Sequence, residues 1–303
     1  MDPHARRVAD MIALAARPPL GTQSADTMRR NYRAARRVLQ PDLAPVASVR
    51  DLVLGGVRVR LTAGLKAQDG RCLLYCHGGG WVLGDLDSHD AVCRHLANAG
   101  ACHVAAVDYR LAPEHPFPAA LDDAAAVLQA LVADASALGI DPARIAVGGD
   151  SAGANLAAVL TLMARDGAAP PACQQMLFYP VTDLVDELPS YTRHGLDGPL
   201  TADDMRWFAG QYVGGADPGD WRISPLRASL TGLPPAFVLT AGYDPLCDEG
   251  MAYARGLDAA GVAAVHLHMP TQIHGFLTMG RLIPAAGAAL DAAGAFLRLG
   301  WPG

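Results

Sequence analysis

The pentapeptide Gly149-Asp150-Ser151-Ala152-Gly153 constrains this chain more than any other stretch. It stands between an apolar run, Ile145 to Gly148, and a helical pattern, Ala152 to Arg165, so the backbone must leave a strand and enter a helix almost at once. Glycines two residues to either side of a serine allow a turn that tight, and such a turn pushes the serine hydroxyl into a cleft at the strand end.

The rest of the chain fits that geometry. A short hairpin is expected from Asp51 to Leu61 around Gly55-Gly56, and it starts a sheet antiparallel. Apolar runs then recur at Arg71 to Cys76, Cys102 to Val107, Ile145 to Gly148, Gln175 to Tyr179, Ala236 to Ala241 and Val262 to His268. Helical patterns fall between them at Ser88 to Ala99, Pro118 to Val132, Ala152 to Arg165 and Asp244 to Ala260, and Ala285 to Leu299 closes the chain. Gly100 and Gly261 stand where C-terminal helix caps belong. Alternation of this kind predicts an α/β fold with a mostly parallel sheet wrapped by helices.

Two segments break the alternation. Residues 1–45 carry helical patterns from Pro3 to Ala16 and from Ala25 to Leu39, the second with Met28, Tyr32, Ala35 and Leu39 on one face. The insertion from about Asp183 to Leu230 holds Met205, Trp207, Phe208 and Tyr212. Both are expected to build a helical cap over the sheet edge, with residues 46–303 as the catalytic domain.

The chemistry is carried by four elements in order. His77-Gly78-Gly79-Gly80 precedes the serine turn, and Asp244 and His274 follow it, both after predicted strand ends. Reactive groups of open α/β sheets collect at that edge. A chance Gly-x-Ser-x-Gly is expected about 0.09 times in this composition and a chance His-Gly-Gly-Gly about 0.01 times. The alternative is that both are glycine-rich strand-end turns. A serine activated by a histidine, itself oriented by an aspartate, is an arrangement for nucleophilic attack on a carbonyl. The order Ser, Asp, His is that of α/β hydrolases and not of the chymotrypsin or subtilisin types. Backbone N–H groups of Gly78, Gly79 and Ala152 are the expected oxyanion donors. Asp248 and Glu249 compete with Asp244, and His115 with His274; His103, His266 and His268 sit in strand patterns and read as structural, while His77 organises its loop.

Composition sets the partners. A net charge of −6 over 303 residues offers no general attraction for nucleic acid or anionic membrane. Residues 1–37 hold eight arginines against three aspartates, which suits either a basic arm or a helix whose arginine stems lie along an apolar face. No run of eighteen apolar residues occurs, and the N-terminus lacks the apolar core of a signal peptide, so a cytoplasmic address is expected. The six cysteines form no Cys-x-x-Cys pair; they read as small buried hydrophobes, and Cys72 and Cys76 share one face of a strand. No metal is expected.

Taken together these residues resemble the esterases similar to mammalian hormone-sensitive lipase, the bacterial family IV branch of the α/β hydrolases. The resemblance spans roughly residues 70–280. It is carried by His77-Gly78-Gly79-Gly80-Trp81, by Asp108-Tyr109-Arg110-Leu111-Ala112-Pro113-Glu114-His115-Pro116-Phe117-Pro118-Ala119-Ala120, by the serine pentapeptide, and by Asp244-Pro245-Leu246 and His274-Gly275-Phe276. It implies an eight-stranded sheet, a cap from the N-terminus and a mid-chain insertion, no cofactor, and hydrolysis of a small-molecule ester by Ser151, His274 and Asp244 through an acyl-enzyme. An amidase or deacetylase with the same groups, or a ligand-binding receptor of similar architecture, are the alternatives. The resemblance also implies that Asp108, Arg110 and Glu114 form a buried polar network under the oxyanion loop, against the alternative of an ordinary surface loop. Trp81, Asp150, Trp207, Phe208 and Tyr212 are the candidate pocket residues. Ala154 stands where another glycine is common, and Cys247 where arginine is common. Edge pairing of the last strand makes a homodimer an expectation of the family.

Overall fold

Eight strands pair into one sheet: β1 Ser48–Leu54, β2 Val57–Ala63, β3 Cys72–Cys76, β4 His103–Val107, β5 Ile145–Asp150, β6 Gln175–Phe178, β7 Ala236–Tyr243 and β8 Ala264–Ile273. Their order is β1-β2-β4-β3-β5-β6-β7-β8. The computed structural model of the chain describes residues 1–15, 18–67, 70–195 and 198–301. The first hairpin is antiparallel, as expected, and turns at Gly55 and Gly56 with φ of 58° and 83°, the left-handed pair that a two-residue loop requires. β2 and β4 are also antiparallel; from β4 through β3, β5, β6, β7 to β8 all pairs run parallel.

Ten α-helices are described: α1 Pro3–Leu14, α2 Ala25–Leu39, α3 Asp90–Gly100, α4 Ala119–Ala133, α5 Ala135–Leu138, α6 Ala152–Arg165, α7 Pro189–His194, α8 Ala202–Val213, α9 Cys247–Ala259 and α10 Ala285–Leu299. Helices cover both faces of the sheet. Every residue of β3 is buried, and its side chains alternate between two cores. Cys72, Leu74 and Cys76 pack toward α4, α6 and α9, whereas Leu73 and Tyr75 pack toward α3 and α10. All six cysteines are unpaired thiols and five are buried. Burial pushes their thiols up, Cys102 to about 12, so they act as small apolar fillers.

The boundaries that differ from expectation have local causes. α3 starts at Asp90 because Ser88 is held in a turn, its N–H donating to Asp85 Oδ1 at 2.7 Å while its Oγ receives the Asp85 N–H at 2.8 Å. The left-handed residue that closes α3 is Ala101, φ 50°, and not Gly100, which is the last helical residue and lies against Leu297. α9 starts at Cys247, not Asp244, since a residue before proline is driven out of the helical region and Asp244 instead accepts the Leu246 N–H at 2.8 Å. β8 runs on to Ile273, through Pro270, because an edge strand tolerates a missing N–H. Ala16, the last residue expected in the first helix, lies outside the described residues.

Candidate active site

Three strand ends converge on one point. β5 delivers Ser151, which turns sharply into α6 with φ 56° and ψ −120°, a strained conformation for a residue with a side chain. The turn needs both flanking glycines: a methyl group on Gly149 or Gly153 would collide with the Cys76 carbonyl of β3. Asp244 follows β7 and His274 follows β8. His274 Nδ1 lies 2.7 Å from Asp244 Oδ2, and its Nε2 lies 3.0 Å from Ser151 Oγ. Asp244 is fully buried, with its second oxygen fixed by the Leu246 N–H.

The competing groups are engaged elsewhere. Asp248 pairs with Arg193 at 2.7 Å and accepts the Ser190 N–H. Glu249 accepts the Thr182 N–H at 2.6 Å, and burial drives its carboxyl well above the usual range. His266 and His268 both bond to Thr240 Oγ1, His103 opens β4, and His115 is exposed.

The oxyanion loop departs from expectation at one position. The Gly78 N–H donates to Asp150 Oδ1 at 2.9 Å, so it is engaged by the protein itself. The N–H groups of Gly79, Gly80 and Ala152 meet no acceptor among the described residues, and Gly79 and Gly80 line the cavity in front of Ser151. Among the described residues, then, the unengaged N–H groups facing Ser151 belong to Gly79, Gly80 and Ala152, while that of Gly78 is taken by Asp150. Three consecutive glycines are indistinguishable as a string; the signal that separates them is Asp150, whose carboxylate captures the nearest one. Gly80 has φ 60°, and any side chain there would enter the Phe208 ring.

Asp150 and its neighbours brace this loop from behind. Burial opposes its charge, yet the His89 ring at 3.3 Å, the Tyr75 hydroxyl at 2.7 Å and the Gly78 N–H hold the carboxyl down to about 2. His77 stacks on Tyr109 with ring centres 4.3 Å apart, and its Nδ1 lies 2.9 Å from the Gly78 carbonyl. Burial, with His89 nearby, pushes His77 down to about 4, so it is neutral and organises the loop as expected. His89 was invisible in the sequence because it sits in no motif. Among the described residues Asp108, Arg110 and Glu114 do not form the expected buried network with one another: they form separate pairs with Arg58, the buried Asp123 and Arg29. Each faces a different element, so one short segment cannot close a network among them.

A model of the α/β hydrolase fold matches residues 73–278. The chain belongs to the α/β-hydrolase family. This α/β hydrolase is similar to the carboxylesterase NlhH of Mycobacterium tuberculosis (strain ATCC 25618 / H37Rv), 47% identical over 223 residues that cover 72% of this chain and 70% of that protein. It is also 47% identical to an ethyl acetate hydrolase of Pseudomonas putida over 225 residues, 73% and 70% of the two chains. Among solved structures, LAE6, an alpha/beta hydrolase enzyme from the metagenome of Lake Arreo, Spain, superposes with a TM-score of 0.95 at 40% identity, covering 99% of this chain and 98% of the other.

In this α/β hydrolase a cavity of about 400 Å³ opens onto Ser151 and His274. Its far wall comes from α1, α2 and the segment around α8, including Ile12, Met28, Tyr32, Leu200, Met205 and Phe208. Of the expected pocket residues, Phe208 and Asp150 are on the wall. Trp81 and Tyr212 are not: both are buried and stack on each other 4.0 Å apart and 3° from parallel, filling the core behind the loop. Trp207 is also off the wall, edge-on to Phe208 and against Gly21. Aromatic spacing on a helix does not reveal which ring faces a cavity and which a neighbouring turn. Cys247 is buried near Met251 and Ala154 within α6, so neither departure from the family pattern touches the cavity.

Proposed function

We propose that this chain hydrolyses carboxylic esters of short to medium acyl chain through an acyl-enzyme on Ser151. The observation that carries the reading is the single imidazole of His274 joining a buried carboxylate at 2.7 Å to a serine hydroxyl at 3.0 Å. Ser151 Oγ attacks the ester carbonyl carbon as its proton passes to His274 Nε2. The tetrahedral oxygen takes its negative charge into the N–H groups of Gly79, Gly80 and Ala152, each worth on the order of 3 kcal/mol in the barrier. Collapse expels the alcohol, which leaves with the proton from His274. Water then attacks the acyl group with His274 as base, releasing the acid and restoring Ser151. Asp244 accepts from Nδ1–H and stabilises the imidazolium.

Relatives named carboxylesterase and ethyl acetate hydrolase support ester over amide substrates. The quoted motifs favour the hormone-sensitive-lipase-like branch, and residues 1–45 with about 183–230 serve as the cap. Six unpaired cysteines favour a reducing, cytoplasmic setting, and the open edge of β8, with Val265 exposed, favours a homodimer. Among the described residues no helix is long and apolar enough to cross a membrane.

The test is a chain-length series of p-nitrophenyl esters alongside a p-nitroanilide. Rates highest for acetate to hexanoate, with the anilide far slower, are expected; an anilide rate matching the esters overturns the ester reading.

A further inference from the structure

α2 carries five arginines, Arg29, Arg30, Arg33, Arg36 and Arg37, and the first three have carboxylate partners. Arg29 pairs with Glu114, Arg30 with Asp26 and Arg33 with Asp85. The fourth, Arg36, lies on the cavity wall and has none among the described residues. Its Nη1 donates to Thr278 Oγ1 at 2.6 Å, and its plane sits 4.5 Å from the centre of the Tyr32 ring, which offsets part of the charge. Its Nε is buried and meets no acceptor. A guanidinium presents five N–H donors, and a buried donor left unmade is costly. Among the described residues the only carboxylate on the same wall, Asp150, already has Oδ1 taken by Tyr75 and Gly78 with His89 alongside.

An unneutralised guanidinium facing an otherwise mostly apolar cavity is a fork for a planar anion. Thr278 ties it to the loop that follows His274, so its position relative to the reacting groups is fixed. We infer that Arg36 forms an anion subsite and that the preferred substrates are esters bearing a free carboxylate, such as half-esters of dicarboxylic acids. This rests on the ester-hydrolase reading above. Hydrolysis of a half-ester gives the dicarboxylate, the alcohol and a proton, and the carboxylate bound by Arg36 takes no part in the bond changes.

The experiment compares kcat/KM for the monoethyl and diethyl esters of succinate, glutarate and adipate. Wild type should favour the monoester by tenfold or more at the best chain length. Arg36→Gln should bring that ratio down about tenfold, through KM of the monoester, and Arg36→Lys should recover part of it. A ratio unchanged by Arg36→Gln, with both esters slowed alike, makes Arg36 a purely structural clamp and overturns the inference. Should Arg36→Gln fail to fold, inhibition of wild-type p-nitrophenyl butyrate hydrolysis by glutarate and by glutaramide decides: stronger competitive inhibition by the dianion, weakened by salt, is expected, and equal inhibition overturns the proposal. Hydrolysis of neutral diesters with no monoester preference defeats the anion subsite alone, whereas no hydrolysis of any ester defeats the underlying reading.

Discussion

On the sheet side of the cavity, Ser151, Asp244 and His274 each stand at the end of a strand; on the helix side, Met28, Tyr32, Arg36 and Phe208 hang from α2 and α8. The two sides are held differently. The sheet side is fixed by backbone: glycines that admit no side chain, a buried aspartate with both oxygens engaged, and the Asp150 brace. The helix side is fixed by side chains, chiefly Arg29, which reaches the carbonyls of Val82 and Ala112 and the Glu114 carboxylate. Chemistry needs the rigid side, and substrate choice belongs to the side that a few surface contacts set in place.

That contrast breaks most sharply if the sheet side tolerates change. Ser151→Ala and His274→Ala should each lower kcat/KM for p-nitrophenyl butyrate by about 10⁴-fold or more with the fold intact by circular dichroism, as for members of a relay that act as a unit. Retention of substantial activity in both would falsify the relay.

Asp150→Asn comes next. It removes the charge that fixes Gly78 but no donor that meets substrate, so kcat should fall roughly ten- to a hundredfold, less than the loss of a whole oxyanion donor. KM should hardly move. A rise in KM alone would mean that Asp150 acts on bound substrate directly and not through the Gly78 loop that it braces.

Acid should loosen the sheet side selectively. His77 is held down to about 4 in the fold from 6.5, so the unfolded chain binds its proton first; its contribution is complete above pH 6.5 and is lost as pH falls toward 4. Asp150, lowered from 3.8 to about 2, keeps its contribution above 3.8 and loses it only toward 2. The His77 contribution to urea-unfolding stability should therefore fall by on the order of 2 kcal/mol between pH 7 and 4.5, opposite in sign to that of Glu249, whose raised carboxyl favours the fold toward acid. His77→Gln should flatten that slope; an unchanged slope would assign it to other groups.

Smallest is the helix side. Arg29→Gln should raise KM a few-fold and cost about 1 kcal/mol, since it removes partly exposed hydrogen bonds to carbonyls and a surface ion pair. Arg110→Gln should leave the rate unchanged and cost up to about 1 kcal/mol in stability, because it takes the guanidinium from the buried Asp123 carboxylate and leaves it the Arg110 backbone N–H.

The same contrast governs what could be read from residues alone. The serine turn, the alternation of β3 between two cores and the strand-end places of Asp244 and His274 were legible because backbone sterics force glycines and period-2 patterns into the sequence. The α2 face of Met28, Tyr32, Ala35 and Leu39 was legible as a stripe, yet it lines the cavity. Which of three glycines keeps a free N–H was not legible, nor that Trp81 stacks inward on Tyr212, nor that His89 faces Asp150. Those depend on long-range placement of side chains, and a local string carries no trace of it. The extension of β8 through Pro270 was hidden for a similar reason: only its edge position makes the proline harmless.

The central claim is that Ser151 forms the covalent intermediate while His274 and the freed amides of Gly79, Gly80 and Ala152 support it. Mass spectrometry after treatment with a p-nitrophenyl alkylphosphonate tests it most directly. One adduct per chain is expected, mapped by peptide fragmentation to Ser151 and absent from Ser151→Ala. An adduct at another residue, or unlabelled protein that still turns over p-nitrophenyl butyrate at its full rate, would contradict the account.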